Sequence, residues 1–520
     1  MSANTRGLNL NRSRDIRTFP SATSLIVDIL GLITLVALAY YIVPEKLQFV
    51  VFDLVLRNLA FILPWILPSY LAYRLYNGEY NNQRRIITAI CTTGLACAAL
   101  NAGLYYTRGY FTFLEFAKYN SREDLVQTSA HSIRFTPLTN ACNDMANSIS
   151  ISSEHVECKY TSPAITPDGR FSYVAPIVPS GLYQVFEKKN PGFMVLDDST
   201  DVTNSQKHVR RINDEQTYGP EMQWFDNLER VLVKTDFFAK YGKPHYIALD
   251  PKWPDKYTTV IPKVKFAHFF QLPYWAGVTL IHSDGKIEDL SKDQALQDVR
   301  LKGKWIYPVE LENKYVRLQN YAIGWGIFSE LVRVPGKLEV EKLPGENQFP
   351  FLIQGKDGNP YLVTGTKGEG SARGLFRMYF RNAFTGEGSY HEFKPNEVIY
   401  GVGAALTRVT NIPGYNWSHG ESGNMKAVEP VYITKDGDTA PYWKFTITNI
   451  QNAGISATAV SSGSRPDEIK VFKTRDEFEL WIHDQKTTPD KKESSFNKEE
   501  IIARIKRIEQ ELAAVIGLLK

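Results

Sequence analysis

RRIITAICTTGLACAALNAGLYYTR, residues 84–108, decides how the rest of the chain is read. Two arginines open it, no charge occurs from Ile86 to Thr107, and two tyrosines and Arg108 close it. At about 1.5 Å of rise per residue, a helix of this length crosses a hydrocarbon core of roughly 30 Å. Everything from Gly109 to Lys520 hangs from its far end. The side on which that end emerges therefore sets the compartment of most of the protein.

Two more apolar runs precede it, Ser24–Val43 (SLIVDILGLITLVALAYYIV) and Phe52–Tyr73 (FDLVLRNLAFILPWILPSYLAY). Three in succession exceed what a soluble domain buries, and they predict three transmembrane helices across 24–107. The segment 1–23 carries Arg6, Arg12, Arg14 and Arg17 against Asp15, and the second connection carries Arg74, Arg84 and Arg85. The first connection has only Lys46 beside Glu45. Arginine and lysine favour the cytoplasmic side. The expectation is therefore an integral membrane protein with a cytoplasmic N-terminus and an extracytoplasmic domain, whether periplasmic, extracellular or lumenal. Cleavage after Ala39, where Ala37-Leu38-Ala39 resembles a signal-peptidase site, leaves that orientation unchanged.

Asp53 and Arg57 lie four apart on one helical face and read as a local pair rather than an ion pathway. Pro64 and Pro68 predict a kink in the second run. Small residues four apart in the third (Gly94, Ala98 and Ala102; Ala99 and Gly103) predict close helix packing. Cys91 and Cys97 fall in that run, which leaves Cys142 and Cys158 as the thiols of the outer region. Outside the cytoplasm they are expected to form a disulfide, two separate buried thiols being the alternative.

The full chain of 520 residues has a net charge of +4 and no basic signature of nucleic-acid binding. Residues 108–243 read as short strands and long loops, with helical spacing near Trp224 to Leu232. Strand–turn–strand signals follow at Pro244–Tyr257, Pro273–Gly285, Pro350–Tyr361 and Pro430–Trp443, around Asp-Gly or Asp-Pro turns. Ser291 with Gln294 and Thr474 with Glu477 resemble capping boxes that open short helices. The expected fold is a membrane-anchored α+β protein, with hairpin-plus-helix units at 244–335 and 336–485. A polar linker, 486–497, leads to an amphipathic segment, 498–520, in which Ile501, Ile505, Ile508, Leu512, Val515 and Leu519 alternate by four and three. That seam predicts a self-associating coiled coil, or else a helix docked on its own domain or lying on a membrane surface.

No catalytic motif emerges. Gly365–Gly374 lacks the ending of a P-loop, His419–Gly423 does not meet the nucleophile-elbow pattern, and Asp436-Gly437-Asp438 fails the calcium-loop pattern. Tyr415-Asn416-Trp417 is an aromatic cluster suited either to stacking on sugars or to core packing. The expectation is a non-enzymatic scaffold or assembly protein with no cofactor and no metal. Its expected partners are the lipid bilayer, copies of itself and other membrane or envelope proteins, and not nucleic acid. The alternative is an extracytoplasmic enzyme or ligand-binding protein acting on cell-envelope material.

Overall fold

The computed structural model describes residues 30–483 except 32–33, 38–39, 42, 77–82, 166–170, 182–188, 198–207, 223–225, 251, 254, 323–336, 342–348, 370–373, 395–396, 418–422 and 450–453. Its dominant feature is four β-sheets. Strand β1, Asn120–Ser121, follows the long helix Gln83–Glu115. Strands β2 (Glu154–Val156), β3 (Ser162–Ile165), β4 (Phe171–Pro179), β5 (Gly192–Asp197) and β6 (Val209–Ile212) form an antiparallel sheet ordered β2-β4-β5-β6, with β3 also on β4. Every residue of β4, FSYVAPIVP, is buried, which explains its continuous rather than alternating apolarity.

The second sheet holds β7 (Lys240–Tyr241), β8 (His245–Ile247), β9 (Thr258–Phe266), β10 (Leu272–Ile281) and β11 (Ile287–Ser291). The third joins β12 (Leu338–Val340), β13 (Phe351–Gln354), β14 (Pro360–Gly368), β15 (Leu375–Asn382) and β16 (Gly388–Glu392) to β1, which pairs in parallel with β16. The fourth is a meander of β17 (Met425–Ile433), β18 (Tyr442–Asn449), β19 (Ile455–Ser462) and β20 (Ile469–Phe472).

One core unites the third and fourth sheets with residues 125–135 and with the helices Val402–Val409 and Arg475–Ile482. Tyr432 donates to the Val126 carbonyl at 2.9 Å, and the buried Lys444 ammonium donates to the carbonyl of Arg134 at 2.6 Å. A second core lies against the second sheet and takes in the helix Val309–Leu318 and the C-terminal end of the long helix, through Phe113, Phe116 and Ala117. Between the cores, Arg381 and Glu312 form a buried ion pair at 2.8 Å, and Tyr119 lies under the guanidinium at 4.1 Å. Burial drives the Tyr119 phenol pKa far upward, so it stays a neutral donor.

Three expectations are corrected. The first is the bundle of three N-terminal transmembrane helices. Among the described residues, one helix, Arg84–Glu115, is long and apolar enough to cross a membrane. The run read as a second span breaks into a π-helical turn Phe49–Val55, a 3-10 turn Leu56–Asn58, a short helix Leu59–Ile62, a 3-10 turn Leu63–Trp65 and a helix Ile66–Tyr76. Its start is docked on the body. Phe52 is fully buried against Phe238 and Phe266, Asp53 pairs with Lys240, and Gln48 donates to the carbonyls of Phe237 and Ala239 at 2.8 and 3.0 Å. The first run is described only in fragments from Leu30 to Val43.

The second correction concerns the α+β class of repeated hairpin-plus-helix units. The hairpins β8–β9 and β10–β11 share one sheet, while β13–β14 and β17–β18 belong to two others, and every sheet holds further strands, the third taking β1 from far upstream. The helices that follow are short, Lys292–Gln297 and Arg475–Ile482. This is a β-rich fold. The third is the coiled coil: its seam, Ile501 to Leu519, lies outside the described residues, and nothing in the described fold supports it.

Candidate functional site

The chemistry of the described residues gathers where the long helix meets the body. The helix Val309–Leu318 buries Leu311, Tyr315, Val316 and Leu318. Its opposite face carries Glu310, Asn313, Lys314 and Arg317, spaced by three, one and three, which is one stripe of a 3.6-residue helix. That stripe forms one wall of a cavity of about 1030 Å³. Tyr105, Arg108 and Gly109 of the long helix form the second wall, and Lys337 to Glu341 with Glu369 form the third.

Each wall is fixed by bonds behind it. The Asn320 side chain holds Leu338 from both sides, accepting from its N–H at 2.8 Å and donating to its carbonyl at 3.0 Å. Glu341 accepts the first amides of the helix Val402–Val409, from Val402 at 3.0 Å and Gly403 at 2.9 Å, so this carboxylate is a helix cap. Glu369 stands 3.5 Å from Lys337. Arg108 Nε donates to the Gln271 carbonyl at 2.7 Å, and Gln271 donates onward to the Arg57 carbonyl at 2.8 Å. Arg57 lies over the Phe266 ring at 4.1 Å and pairs with Asp53 at 3.1 Å.

Lys314 is the unusual group. Burial, then the charges of Arg108 and Arg57, lower its ammonium pKa to about 8. A lysine held among cations, on the wall of an open cavity, is the arrangement that an incoming anion relieves.

On the other flank of the long helix, Phe61, Leu104, Thr107, Phe111 and Leu272 line a slot of about 320 Å³ that also takes in Gln271 and the pair His268–Glu115, 3.0 Å apart. Arg108 borders both cavities.

Other clusters serve the fold. Ser162 Oγ and His245 Nδ1 are 3.0 Å apart but buried under Trp305, and burial pushes the His245 pKa down to about 3, which keeps the imidazole neutral. Ser180 and His155 meet at 2.9 Å, with Glu157 3.7 Å from the other ring nitrogen, too long for a hydrogen-bonded relay. Asp436 binds Lys356 and His483, and Asp438 binds Arg465 and Tyr442, so both acids of that turn cross-link neighbouring elements. Gly365 lies within β14 beside Leu375 and Phe349, a close-packing position. Trp417 donates to the Ile412 carbonyl at 2.8 Å and packs with Tyr415 on the core. Residues 418–422 lie outside the described residues. Among the described residues, no three His, Cys, Asp or Glu side chains are grouped to hold a metal.

Cys142 and Cys158 are joined as a disulfide, with Cα atoms 5.7 Å apart. Of the small residues singled out on the long helix, Gly94 lies beside Trp65, whereas Ala98, Ala99, Ala102 and Gly103 are exposed. The packing stripe runs instead through Gly94, Cys97 and Asn101. Cys97 donates to the Pro64 carbonyl at 2.8 Å and Asn101 to the Phe61 carbonyl at 3.0 Å. Pro68 has no N–H to offer the Pro64 carbonyl, so the thiol replaces the missing helical donor.

The cleft residues Arg108, Lys314 and Arg317 were not among the expected sites. The polar stripe from Glu310 to Arg317, and Arg108 closing an apolar run, were the available signals.

No family model and no curated protein matches the chain. A mutant of Synechocystis apocarotenoid oxygenase aligns at 10% identity and a TM-score of 0.19, over 63% of this chain and 64% of that one. Two ACO/RPE65 chimeras align at 10% identity with TM-scores of 0.19 and 0.20. The chain spans less than two thirds of the length of that first oxygenase. Likeness at this level assigns neither fold nor function.

Proposed function

We propose that the chain is a non-enzymatic scaffold held in a membrane by its long helix, which presents the β-rich body on the extracytoplasmic side to other envelope proteins. One observation carries this reading: only 6% of the apolar window of that helix is buried, with Ile87, Leu95, Leu100 and Tyr105 facing outward. From Ile86 to Thr107 the helix is about 33 Å long, matched to a hydrocarbon core. Water is a poor surrounding for so long an apolar surface.

Three further facts support the reading. Arg84 and Arg85 lie at the end remote from the body, which favours a cytoplasmic start. The Cys142–Cys158 bond suits an oxidising compartment. The helix continues without a break into the second core, so the body is held at a fixed attitude to the bilayer rather than on a tether.

The test is topological. A cysteine replacing Gly437 in the turn between β17 and β18 is treated with a membrane-impermeant maleimide in intact cells, and the membranes are then extracted with alkaline carbonate. Labelling, with retention in the pellet, is expected. Protection until lysis overturns the orientation, and release into the supernatant overturns the anchor.

A further inference from the structure

We infer that the cleft and the apolar slot together form one binding site for an anionic phospholipid, with the headgroup phosphate at Arg108 and Lys314 and one acyl chain in the slot. The inference rests on the anchor reading above for its supply of ligand, and on three observations for its chemistry.

The first is the position of Arg108. It stands between a polar cavity of about 1030 Å³ and a predominantly apolar slot of about 320 Å³, so one molecule reaching both must carry charge and hydrocarbon. The second is the charge inventory of the cleft. Lys337 is set against Glu369, Glu341 caps a helix, and Glu310 acts on Lys243. Glu339 is the remaining acid of the lining. The groups that act on Lys314 are Arg108 and Arg57, both cations. A phosphate diester placed there lowers the repulsion among all three, and a guanidinium beside an ammonium offers both the forked and the point donor that phosphate oxygens use.

The third observation is location. Tyr105 and Arg108 sit at the end of the exposed apolar stretch of the helix, the level at which a lipid headgroup lies against an anchor. Leu104, Thr107 and Phe111 line the slot from the same helix, so it opens beside the exposed apolar flank. A free phosphate ion would use the cations and leave the slot without a role.

The full chain, purified in a neutral detergent, is titrated with palmitoyl-oleoyl phosphatidylglycerol, with the matching phosphatidylcholine, and with inorganic phosphate, and bound species are counted by native mass spectrometry. The expected result is one phosphatidylglycerol bound about tenfold more tightly than phosphatidylcholine. Lys314→Glu should erase that preference, and Lys314→Gln, which adds no opposing charge, should reduce it while near-ultraviolet dichroism stays native. Thr107→Trp, which fills the slot, should weaken the lipid and leave phosphate unaffected. Equal binding of the two lipids, or an unchanged preference in both Lys314 variants, overturns the site. Inorganic phosphate competing at the same concentration as the lipid overturns the lipid assignment in favour of a simple anion site. A chain that is carbonate-extractable yet keeps the preference refutes the anchor and leaves the site standing. A chain retained in membranes without the preference does the reverse.

Discussion

Gly109 and Tyr321 touch at the point where the long helix passes into the body. A Cβ on Gly109 would overlap the Tyr321 hydroxyl and sit 3.0 Å from ring carbons Cε2 and Cζ. The tyrosine is itself buried, between Tyr110 at 5.9 Å and Phe113 at 6.4 Å. The long helix and the second core thus share a contact that admits a methyl group only if Tyr321 shifts.

That contact makes a prediction about sign. Inside an ordinary helix, Gly→Ala stabilises by about 0.8–1 kcal/mol. Overpacking a core costs about 1–3 kcal/mol. Gly109→Ala is therefore expected to lower thermal stability in detergent, and Tyr321→Ala should convert the same substitution into a stabilising one. A stabilising Gly109→Ala in the unaltered chain would show that the helix is not seated on Tyr321.

Arg381 and Glu312 give a second test. Arg381 is 3% exposed and Glu312 fully buried, and the guanidinium also donates to the Gly386 carbonyl at 2.9 Å. Arg381→Leu alone strands a buried carboxylate and should cost about 3–5 kcal/mol, whereas replacing both partners by leucine should cost markedly less. Chemical unfolding of the two single variants and the double variant measures the difference. Additive costs would mean that the pair is not coupled.

Lys314 links stability to pH in a direction opposite to an ordinary surface lysine. Its pKa of about 8 in the fold lies below its ordinary value of 10.5. Below pH 8 the unfolded and folded chains both carry the charge, and the fold bears the full penalty of holding it. Between pH 8 and 10.5 the folded group loses its proton first, so stability from this group rises with pH, and above 10.5 the penalty is gone. Lys314→Gln should accordingly raise the melting temperature at pH 7, by an amount that shrinks as pH climbs through that window. An advantage that does not vary with pH would point to packing instead. The same reasoning predicts that anion binding in the cleft weakens above about pH 8.

The turns were legible because they rest on short-range chemistry. Gly285, Gly358 and Gly437 take φ of +86°, +78° and +75°, which the Asp-Gly pairs announce. The pair Asp53–Arg57, at four-residue spacing, was equally visible. Its third member was not, because Lys240 is distant in sequence and nothing local marks it. For the same reason an apolar run ending at Tyr73 passed for a span. Composition records that Phe52 is apolar, but not that Phe238 and Phe266 cover it.

Sheet assembly was hidden more deeply. Asn120 pairs with Ser389 and the Thr128 amide donates to the Thr434 hydroxyl, so a segment far upstream in the sequence extends the third sheet and bonds to the residue that follows β17. Hairpin patterns show each local pair and not which sheet receives it. The cleft shares this property. Its cations come from the long helix (Arg108), from Val309–Leu318 (Lys314 and Arg317) and from the edge of β12 (Lys337), and only folding brings Arg108 to Lys314.

Leu95 lies midway along the apolar stretch and is 71% exposed, so its surroundings distinguish a helix in hydrocarbon from one in water. With Cys91 and Cys97 changed to serine, which puts a hydroxyl donor in place of the Cys97 thiol that bonds the Pro64 carbonyl, a nitroxide at position 95 can be read in phospholipid vesicles. Its relaxation by oxygen, which concentrates in hydrocarbon, is compared with relaxation by a water-soluble nickel chelate. For a membrane-spanning helix, strong oxygen and negligible nickel accessibility are expected at position 95, with the reverse at a label on Gly437 in the β-rich body. Strong nickel accessibility at position 95 would contradict the anchor and place the helix in water.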